Sequence, residues 1–290
     1  MERRIQTPDG RTLAIEDYGD PDGRPVLVHM GSPNTRHLYR PNVTDAAARG
    51  LRLIGYERPG YGGSTPQPGR TVADCAADVR SICEALDIGA IAMWGISGGG
   101  PHVLACAALL PGLVTAAASL ASPAPYPADG LDWYAGMGQE NIDDFRLITT
   151  DETAARAKLD EEREAMLAVT GDDIAEQFAT LLTPADAAVL TGDLAHYLAF
   201  STREGLAPGN EGWWDDGRAM MAPWGFDLAA ISVPVLLLHG RQDQFVPFGH
   251  GEWLAKHIPG VEARLLDEDG HLTLLSRRVG EVHSWLAEHQ

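Results

Sequence analysis

A serine flanked by glycines is the pattern with the clearest chemical meaning in this chain of 290 residues. The run Gly-Ile-Ser-Gly-Gly, residues 95–99, follows a short apolar strand pattern and precedes a helix pattern. A serine on so sharp a turn presents its hydroxyl above the sheet at a helix N-terminus, and the tight backbone requires small neighbours. Chance could produce this run in a chain with 32 glycines, but not the strand, the helix and the downstream partners as well. We predict that Ser97 is a nucleophile.

A serine nucleophile needs a base to accept its proton and a carboxylate to orient that base. Where serine occupies such a turn, the acid and the histidine follow it in the chain in that order. Asp243 and His271 each come directly after one of the last two strand patterns. Because the carboxyl ends of parallel strands meet at one edge of a sheet, both side chains are expected beside Ser97. We predict that His271 is the general base and that Asp243 orients it.

Eight strand patterns and several helix patterns alternate along the chain. The strands are predicted at 3–7, 12–18, 25–29, 51–56, 90–95, 114–121, 235–239 and 263–267, and the helices at 42–49, 72–86, 102–110, 249–257 and 279–288. Near-continuous apolar strands that alternate with helices are typical of a parallel sheet covered on both faces. The prediction is an α/β fold with a mostly parallel eight-stranded sheet, whose first two strands form an antiparallel edge.

The residues between the sixth and seventh strand patterns are too many for a simple loop. Residues 122–230 are acidic and favour helix at 151–169 and 172–182. We predict a helical cap over residues 122–230, which lies on the carboxyl edge of the sheet, and a core domain made of residues 1–121 and 231–290.

The composition excludes several kinds of partner. A net charge of −19 disfavours nucleic acid and anionic membrane surfaces. The chain has no apolar run of the length of a membrane span or signal peptide. Cys75 and Cys83 lie ~12 Å apart on one predicted helix, too far to pair, so with Cys106 they indicate free thiols and a cytoplasmic location. No metal-ligand spacing or dinucleotide-binding glycine loop occurs, so we expect no metal and no cofactor.

These motifs resemble those of the α/β-hydrolase superfamily, specifically its capped branch of esterases, lactonases and proline-iminopeptidase-like enzymes. The resemblance rests on residues 95–99, on His239-Gly240 with Asp243 and Val246-Pro247, and on Gly270-His271. It includes the run Tyr-Glu-Arg-Pro-Gly-Tyr-Gly-Gly-Ser at 56–64, which is similar to the family's loop after its fourth strand. The resemblance covers the core and implies cleavage of an ester or lactone through an acyl-enzyme on Ser97.

The tetrahedral oxyanion formed in such a reaction needs two backbone N–H donors. One is expected from Gly98, directly after the nucleophile. The resemblance places the other in the loop after the third strand, where the family usually has His-Gly-x. Alignment on Gly31 makes Ser32 the donor, whereas alignment on His29 makes it Gly31. We favour Ser32, because Gly31-Ser32-Pro33 then matches the order Gly-x-Pro that is usual in the family.

Aromatic residues near both ends of the predicted cap are candidates for a substrate pocket, although packing within the cap would also explain them. The predicted pocket residues are Trp133, Tyr134, Met137, Trp214, Trp224 and Phe245, with Trp213 and Phe226 beside them. Mostly apolar walls with few polar groups favour a small, neutral ester or lactone.

Other functions remain open at this stage. A proline-iminopeptidase-like aminopeptidase would need anions for the free amine of its substrate, and Glu140, Asp143 and Asp144 offer them. Against that reading, enzymes of this kind usually have Gly-Gly-Ser-Trp-Gly at the serine turn, whereas this chain has Gly-Ile-Ser-Gly-Gly at 95–99. A non-catalytic receptor for small ligands and a lyase, cyclase or acyltransferase that uses the same serine are further alternatives. A dehalogenase or epoxide hydrolase would require aspartate at position 97. We expect a monomer or homodimer.

Overall fold

The computed structural model describes residues 1–290. It contains one sheet of eight strands. The strands are β1 (Glu2–Gln6), β2 (Thr12–Tyr18), β3 (Arg24–His29), β4 (Leu51–Tyr56), β5 (Ile91–Ile96), β6 (Val114–Leu120), β7 (Val235–Gly240) and β8 (Glu262–Leu266). All eight coincide with the predicted strands to within one or two residues.

The strands run in the order β1-β2-β4-β3-β5-β6-β7-β8 across the sheet. The β1–β2 and β2–β4 pairs are antiparallel, and every other pair is parallel. The predicted fold class and the antiparallel edge are therefore confirmed. The carboxyl ends of β3, β5, β7 and β8 share one edge, and the loops that carry the predicted chemistry leave the sheet there.

Both faces of the sheet are buried, as the continuous apolar strands require. Met93 in β5 and Leu237 in β7 point into one hydrophobic core, while their neighbours Trp94 and Leu238 point into a second core on the opposite face. Successive side chains of a strand point to opposite faces, so a strand that is covered on both sides favours apolar residues at successive positions.

Helices cover the two faces. Those associated with the core strands are α1 (Arg40–Ala48), α2 (Cys75–Ala85, preceded by a 3₁₀ turn at Val72–Asp74), α3 (Gly99–Leu109), α10 (Phe248–His257), the single turn α11 (His271–Thr273) and α12 (Val279–His289). Val79 of α2, Val103 of α3 and Leu254 of α10 pack into the first core. Ala46 of α1 and Val282 of α12 pack into the second.

The chain between β6 and β7, residues 121–234, forms an insertion with six helices. They are α4 (Gln139–Thr150), α5 (Glu152–Ala168), α6 (Ile174–Gln177), α7 (Pro184–Ala187), α8 (Gly192–Leu206) and α9 (Glu211–Met220), and a 3₁₀ turn at Leu228–Ala230 follows them. The helix predicted at 151–169 is α5. Only one turn of the helix predicted at 172–182 forms, because the chain then turns and directs Phe178 and Leu181 toward a cavity above the sheet.

Two further features concern the cysteines and the apolar character of the helices. Cys75, Cys83 and Cys106 are buried and form no disulfide. No helix combines the length and apolar character that crossing a membrane requires.

Candidate active site

Ser97 lies on a strained turn between β5 and α3. Its φ of 56° is in the left-handed region, which is costly for a residue with a Cβ atom. Its N–H donates to the carbonyl of Leu120 at 2.9 Å, which holds the turn against β6. A Cβ atom at Gly99 would overlap the carbonyl oxygen of His29, and one at Gly95 would lie 2.6 Å from the carbonyl oxygen of Gly99. The glycines are therefore required by the close approach of three backbone segments.

His271 and Asp243 meet at the same edge of the sheet. The 2.7 Å bond between His271 Nδ1 and Asp243 Oδ2 assigns the proton to Nδ1 and leaves Nε2 available as a base. The other carboxylate oxygen of Asp243 accepts the N–H of Val246 at 2.8 Å, so the acid itself is fixed. Phe245 stacks on the imidazole, with ring centroids 4.7 Å apart.

The electrostatic environment of His271 favours its protonated form. Burial alone would lower the pKa of His271, but the charge and hydrogen bond of Asp243 outweigh burial, and the charge of Asp186 adds to them. The net effect raises the pKa of His271 above its ordinary value of 6.5. A carboxylate that stabilises an imidazolium in this way is what a general base requires.

The two expected oxyanion donors lie side by side near Ser97. A Cβ atom at Gly98 would lie 3.5 Å from the backbone nitrogen of Ser32, and one at Gly31 would lie 3.2 Å from Cβ of Ser97. Neither the Ser32 N–H nor the Gly98 N–H donates to another backbone group. Both are therefore free to bind a substrate oxygen.

A buried ionic cluster contacts the loop after β3, which carries Ser32. The sequence did not predict this cluster. Asp216 of α9 is fully buried and lies 2.6 Å from Nη2 of Arg58 and 2.7 Å from Nη2 of Arg70. Its carboxylate also accepts the hydroxyls of Tyr61, at 2.9 Å, and Ser32. Burial alone would raise the pKa of Asp216, but the two guanidinium groups outweigh it and hold that pKa well below its usual range.

Arg58 connects this cluster to the loop after β3 that carries Ser32. Its Nη1 donates to the carbonyl of Met30 at 2.5 Å, and its Nη2 donates to the Ser32 hydroxyl at 2.9 Å. Arg58 belongs to the motif at 56–64, but no sequence signal connects it with Asp216, which lies 158 positions away.

A second buried carboxylate from the insertion contacts the histidine loop. Asp186 of α7 accepts the backbone N–H groups of His271, Leu272 and Thr273 at 2.8, 2.7 and 3.0 Å. The sequence offers no signal for this contact either, because α7 is a single helical turn in a segment without a motif.

The predicted catalytic groups border a cavity of about 220 Å³ between the sheet edge and the insertion. Ser97, His271, Ser32 and Gly98 contribute to its walls. Of the predicted pocket residues, the cavity is lined by Trp133, Met137, Trp214 and Phe245, and Trp213 also lines it.

Two of the predicted pocket residues lie elsewhere. Trp224 packs into the first hydrophobic core and stacks on Phe226, with ring centroids 5.8 Å apart. At this position the insertion already packs against the core that covers one face of the sheet. Tyr134 lies behind the cavity wall, where it packs edge-on against Trp133 and under the guanidinium of Arg146. For both residues the prediction of a pocket position is wrong, and packing is the observed role.

The cavity wall also includes charged side chains. Glu140, Asp144, Lys158 and Glu162 all line the cavity. Lys158 forms ion pairs with Asp144 and, at 3.2 Å, with Glu162. Burial and the nearby charge of Asp144 raise the pKa of Glu162 to about 7. Asp143, the third anion considered above, does not line the cavity and accepts a hydrogen bond from Gln139.

No set of three or more histidine, cysteine, aspartate or glutamate side chains is arranged to bind a metal ion. The polar groups near Ser97 are instead those of acyl transfer: a hydroxyl, an imidazole paired with a carboxylate, and free backbone N–H groups.

Comparison with known proteins defines the class. A family model of the alpha/beta hydrolase fold matches residues 24–277, which is most of the chain. The chain therefore belongs to the α/β-hydrolase family, as its motifs indicated, and it is a hydrolase.

Individual relatives are distant but aligned over nearly their full length. The chain is 28% identical over 253 residues to a non-heme chloroperoxidase of Streptomyces lividans, which aligns 84% of this chain with 83% of the relative. It is 26% identical over 271 residues to 3-oxoadipate enol-lactonase 1 of Acinetobacter baylyi, covering 91% of this chain and 88% of the relative. A thermophilic esterase from Thermogutta terrifontis superposes with a TM-score of 0.72 over 100% of both chains at 23% identity.

Proposed function

We propose that the protein cleaves a small, mostly apolar carboxylic ester or lactone through an acyl-enzyme on Ser97. The observation that carries this proposal is the 2.7 Å bond between His271 and Asp243 in the cavity that also exposes Ser97 on its strained turn. The relatives named as an enol-lactonase and an esterase support the same class of substrate.

The proposed reaction begins when Ser97 Oγ attacks the carbonyl carbon and His271 Nε2 takes the hydroxyl proton. The carbonyl oxygen becomes an oxyanion, which the N–H groups of Ser32 and Gly98 stabilise. The imidazolium, stabilised by Asp243, then donates its proton to the leaving alkoxide, and the acyl group remains on Ser97. His271 next takes a proton from a water molecule as that water attacks the acyl carbon. The imidazolium then returns this proton to Ser97 Oγ as the acyl carbon–Oγ bond breaks, and the carboxylic acid leaves.

The mechanism requires a hydrogen bond between Ser97 Oγ and His271 Nε2, which this structure does not contain. Such catalytic contacts are often long in the free enzyme and tighten when substrate binds. The substrate has to fit beside Phe245 and Trp133 in a cavity of about 220 Å³ with mainly apolar walls. We further propose a cytoplasmic location, which three free thiols support, and a monomer or homodimer.

A second candidate is an aminopeptidase that cleaves a peptide with a free amine. The anionic side chains of Glu140 and Asp144 in the cavity favour it. Against it, Lys158 already pairs with Asp144, so an incoming ammonium group would have to displace the lysine.

The test is a panel of neutral aryl and alkyl esters, lactones, carboxylate-bearing esters and aminoacyl-naphthylamides, with the wild type and Ser97→Ala. We expect the highest kcat/KM for neutral, medium-sized esters or lactones, and activity near the background rate for Ser97→Ala. Preferential cleavage of the aminoacyl compounds, lost in Glu140→Gln, would replace the esterase assignment with the aminopeptidase. Undiminished ester cleavage by Ser97→Ala would contradict both.

A further inference from the structure

We propose that Asp186, which belongs to the insertion, is a positioning residue for the catalytic histidine: it fixes the backbone at His271 and places a second negative charge beside the imidazole. The inference rests on the proposed function, because it assigns a role only if His271 is the general base. It adds a residue that no motif connects with the site.

The geometry of the contact is specific. Asp186 Oδ2 accepts the N–H of His271 at 2.8 Å, and Oδ1 accepts those of Leu272 and Thr273 at 2.7 and 3.0 Å. Three consecutive N–H groups thus converge on one carboxylate that is 0% exposed to solvent. Burial raises the pKa of Asp186, while the charge of His271 and the N–H groups of His271 and Thr273 oppose that rise. All three hydrogen bonds are donated to the carboxylate, which is the arrangement that suits its anionic form.

The carboxylate of Asp186 packs closely against the loop that carries His271. A Cβ atom at Gly270 would lie 2.6 Å from Cγ of Asp186, so the carboxylate packs directly on the backbone before the histidine. The N–H of Gly270 is occupied separately, since it donates to Oγ1 of Thr273 at 2.7 Å. The chain at the end of the loop between β8 and α11 is therefore held by a side chain from the insertion.

The charge of Asp186 acts on the same imidazole that Asp243 binds. Both carboxylates raise the pKa of His271 against the opposing effect of burial. The other titratable groups here are His239, whose Nε2 lies 3.9 Å from Asp243, and Asp269, which is paired with Arg278 at 2.8 Å. Neither contacts the His271 ring, so Asp186 is the second anion that stabilises the imidazolium.

Two consequences follow for catalysis. Loss of the three backbone contacts lets the histidine shift relative to Ser97, and misplacement by about 1 Å costs on the order of 100-fold in rate. Loss of the charge lowers the pKa of His271, because the imidazolium loses a stabilising neighbour. The base must be neutral to act, so the acid limb of the pH profile moves to lower pH.

The experiment compares the wild type with Asp186→Asn, which keeps the shape, and Asp186→Ser, which keeps one oxygen acceptor. Asp172→Asn is the matched control, because the Asp172 side chain lies in the same insertion and is 89% exposed. Steady-state kinetics on the best ester are measured from pH 5 to 9, with active sites counted by fluorophosphonate titration. Thermal unfolding is recorded for each variant.

We expect Asp186→Asn and Asp186→Ser to lower kcat about 10- to 100-fold per titrated site, with KM changed less than about threefold. The acid midpoint of kcat/KM should fall by about half a unit or more, and Asp172→Asn should match the wild type. A lowered Tm with an unmoved midpoint and a kcat within twofold of wild type would overturn the proposal and leave Asp186 a structural role.

The design separates this inference from the proposed function. If Ser97→Ala and Asp243→Asn also leave activity intact, the proposed function fails. If those two variants are inactive while the Asp186 variants keep the wild-type rate and midpoint, only the role of Asp186 fails.

Discussion

Replacement of Asp216 by alanine is expected to destabilise the fold, because it would leave two arginines uncompensated in the interior. The carboxylate lies 2.6 Å from Nη2 of Arg58 and 2.7 Å from Nη2 of Arg70, and all three side chains are at most 3% exposed. It also accepts the Tyr61 hydroxyl at 2.9 Å. The two guanidinium groups are also held by backbone carbonyls, since Arg58 donates to that of Met30 and Arg70 to that of Gly212, at 3.1 Å.

The expected cost follows from this burial. Removal of one partner of a buried ion pair costs about 3–5 kcal/mol, because the remaining charge is desolvated without compensation. At ~2.1 cal/mol/K per residue, the unfolding entropy of a chain of this length converts that cost into a fall in Tm of about 5–8 °C. The folded-state pKa of Asp216 is held low, so this contribution is fully present above about pH 4 and is lost only in stronger acid.

Differential scanning calorimetry at pH 7 measures the effect, with Glu152→Ala as the control. Glu152 pairs with Arg156 on an exposed helix surface, where its side chain is 55% exposed and the pair is worth about 0.3–0.5 kcal/mol. Asp216→Asn, which keeps acceptors but no charge, should fall between the wild type and alanine. A Tm for Asp216→Ala within about 1 °C of wild type would refute the argument that this cluster is held by charge compensation.

Three further predictions concern catalysis and the turn. Asp243→Asn should lower kcat about 10²–10⁴-fold with a near-native Tm, because the amide selects the wrong tautomer of His271; near-wild-type kcat would point to another acid, with Asp269 first in line. In the wild type, kcat/KM should decrease in acid with a midpoint above 6.5, since the pKa of His271 is raised; a midpoint below 6.5 would contradict the ion pair. Gly99→Ala should abolish soluble expression because its Cβ atom would overlap the His29 carbonyl, whereas Gly112→Ala, with nothing within 4 Å, should express and fold normally.

The core and its chemical groups could be predicted because their signals are local. Strand periodicity located all eight strands, and Ser97, Asp243 and His271 could be proposed because each directly follows a strand at the carboxyl edge of the sheet. In a parallel sheet that placement alone brings loops from distant parts of the chain together. The roles of these three residues remain predictions that the geometry supports.

The contacts made by the insertion could not be predicted, because they depend on how it packs on the core. Asp186 and Asp216 are two of 41 acidic residues, and nothing in their immediate neighbours distinguishes them. The same limit explains the wrong placement of Tyr134 and Trp224: composition identifies aromatic residues that will be buried, but not which apolar surface buries them. Phe245 could be placed because it lies on a core loop beside Asp243.

Covalent labelling tests the central claim most directly. A fluorophosphonate reacts with a serine only when a neighbouring base removes the hydroxyl proton and an oxyanion site stabilises the charge that develops. Intact-mass analysis of the wild-type protein should show one adduct, and peptide mapping should place it on Ser97, with no adduct in Ser97→Ala and slower labelling in Asp243→Asn. A wild-type protein that stays unlabelled, or a label on another serine, would contradict the assignment of Ser97 as the nucleophile.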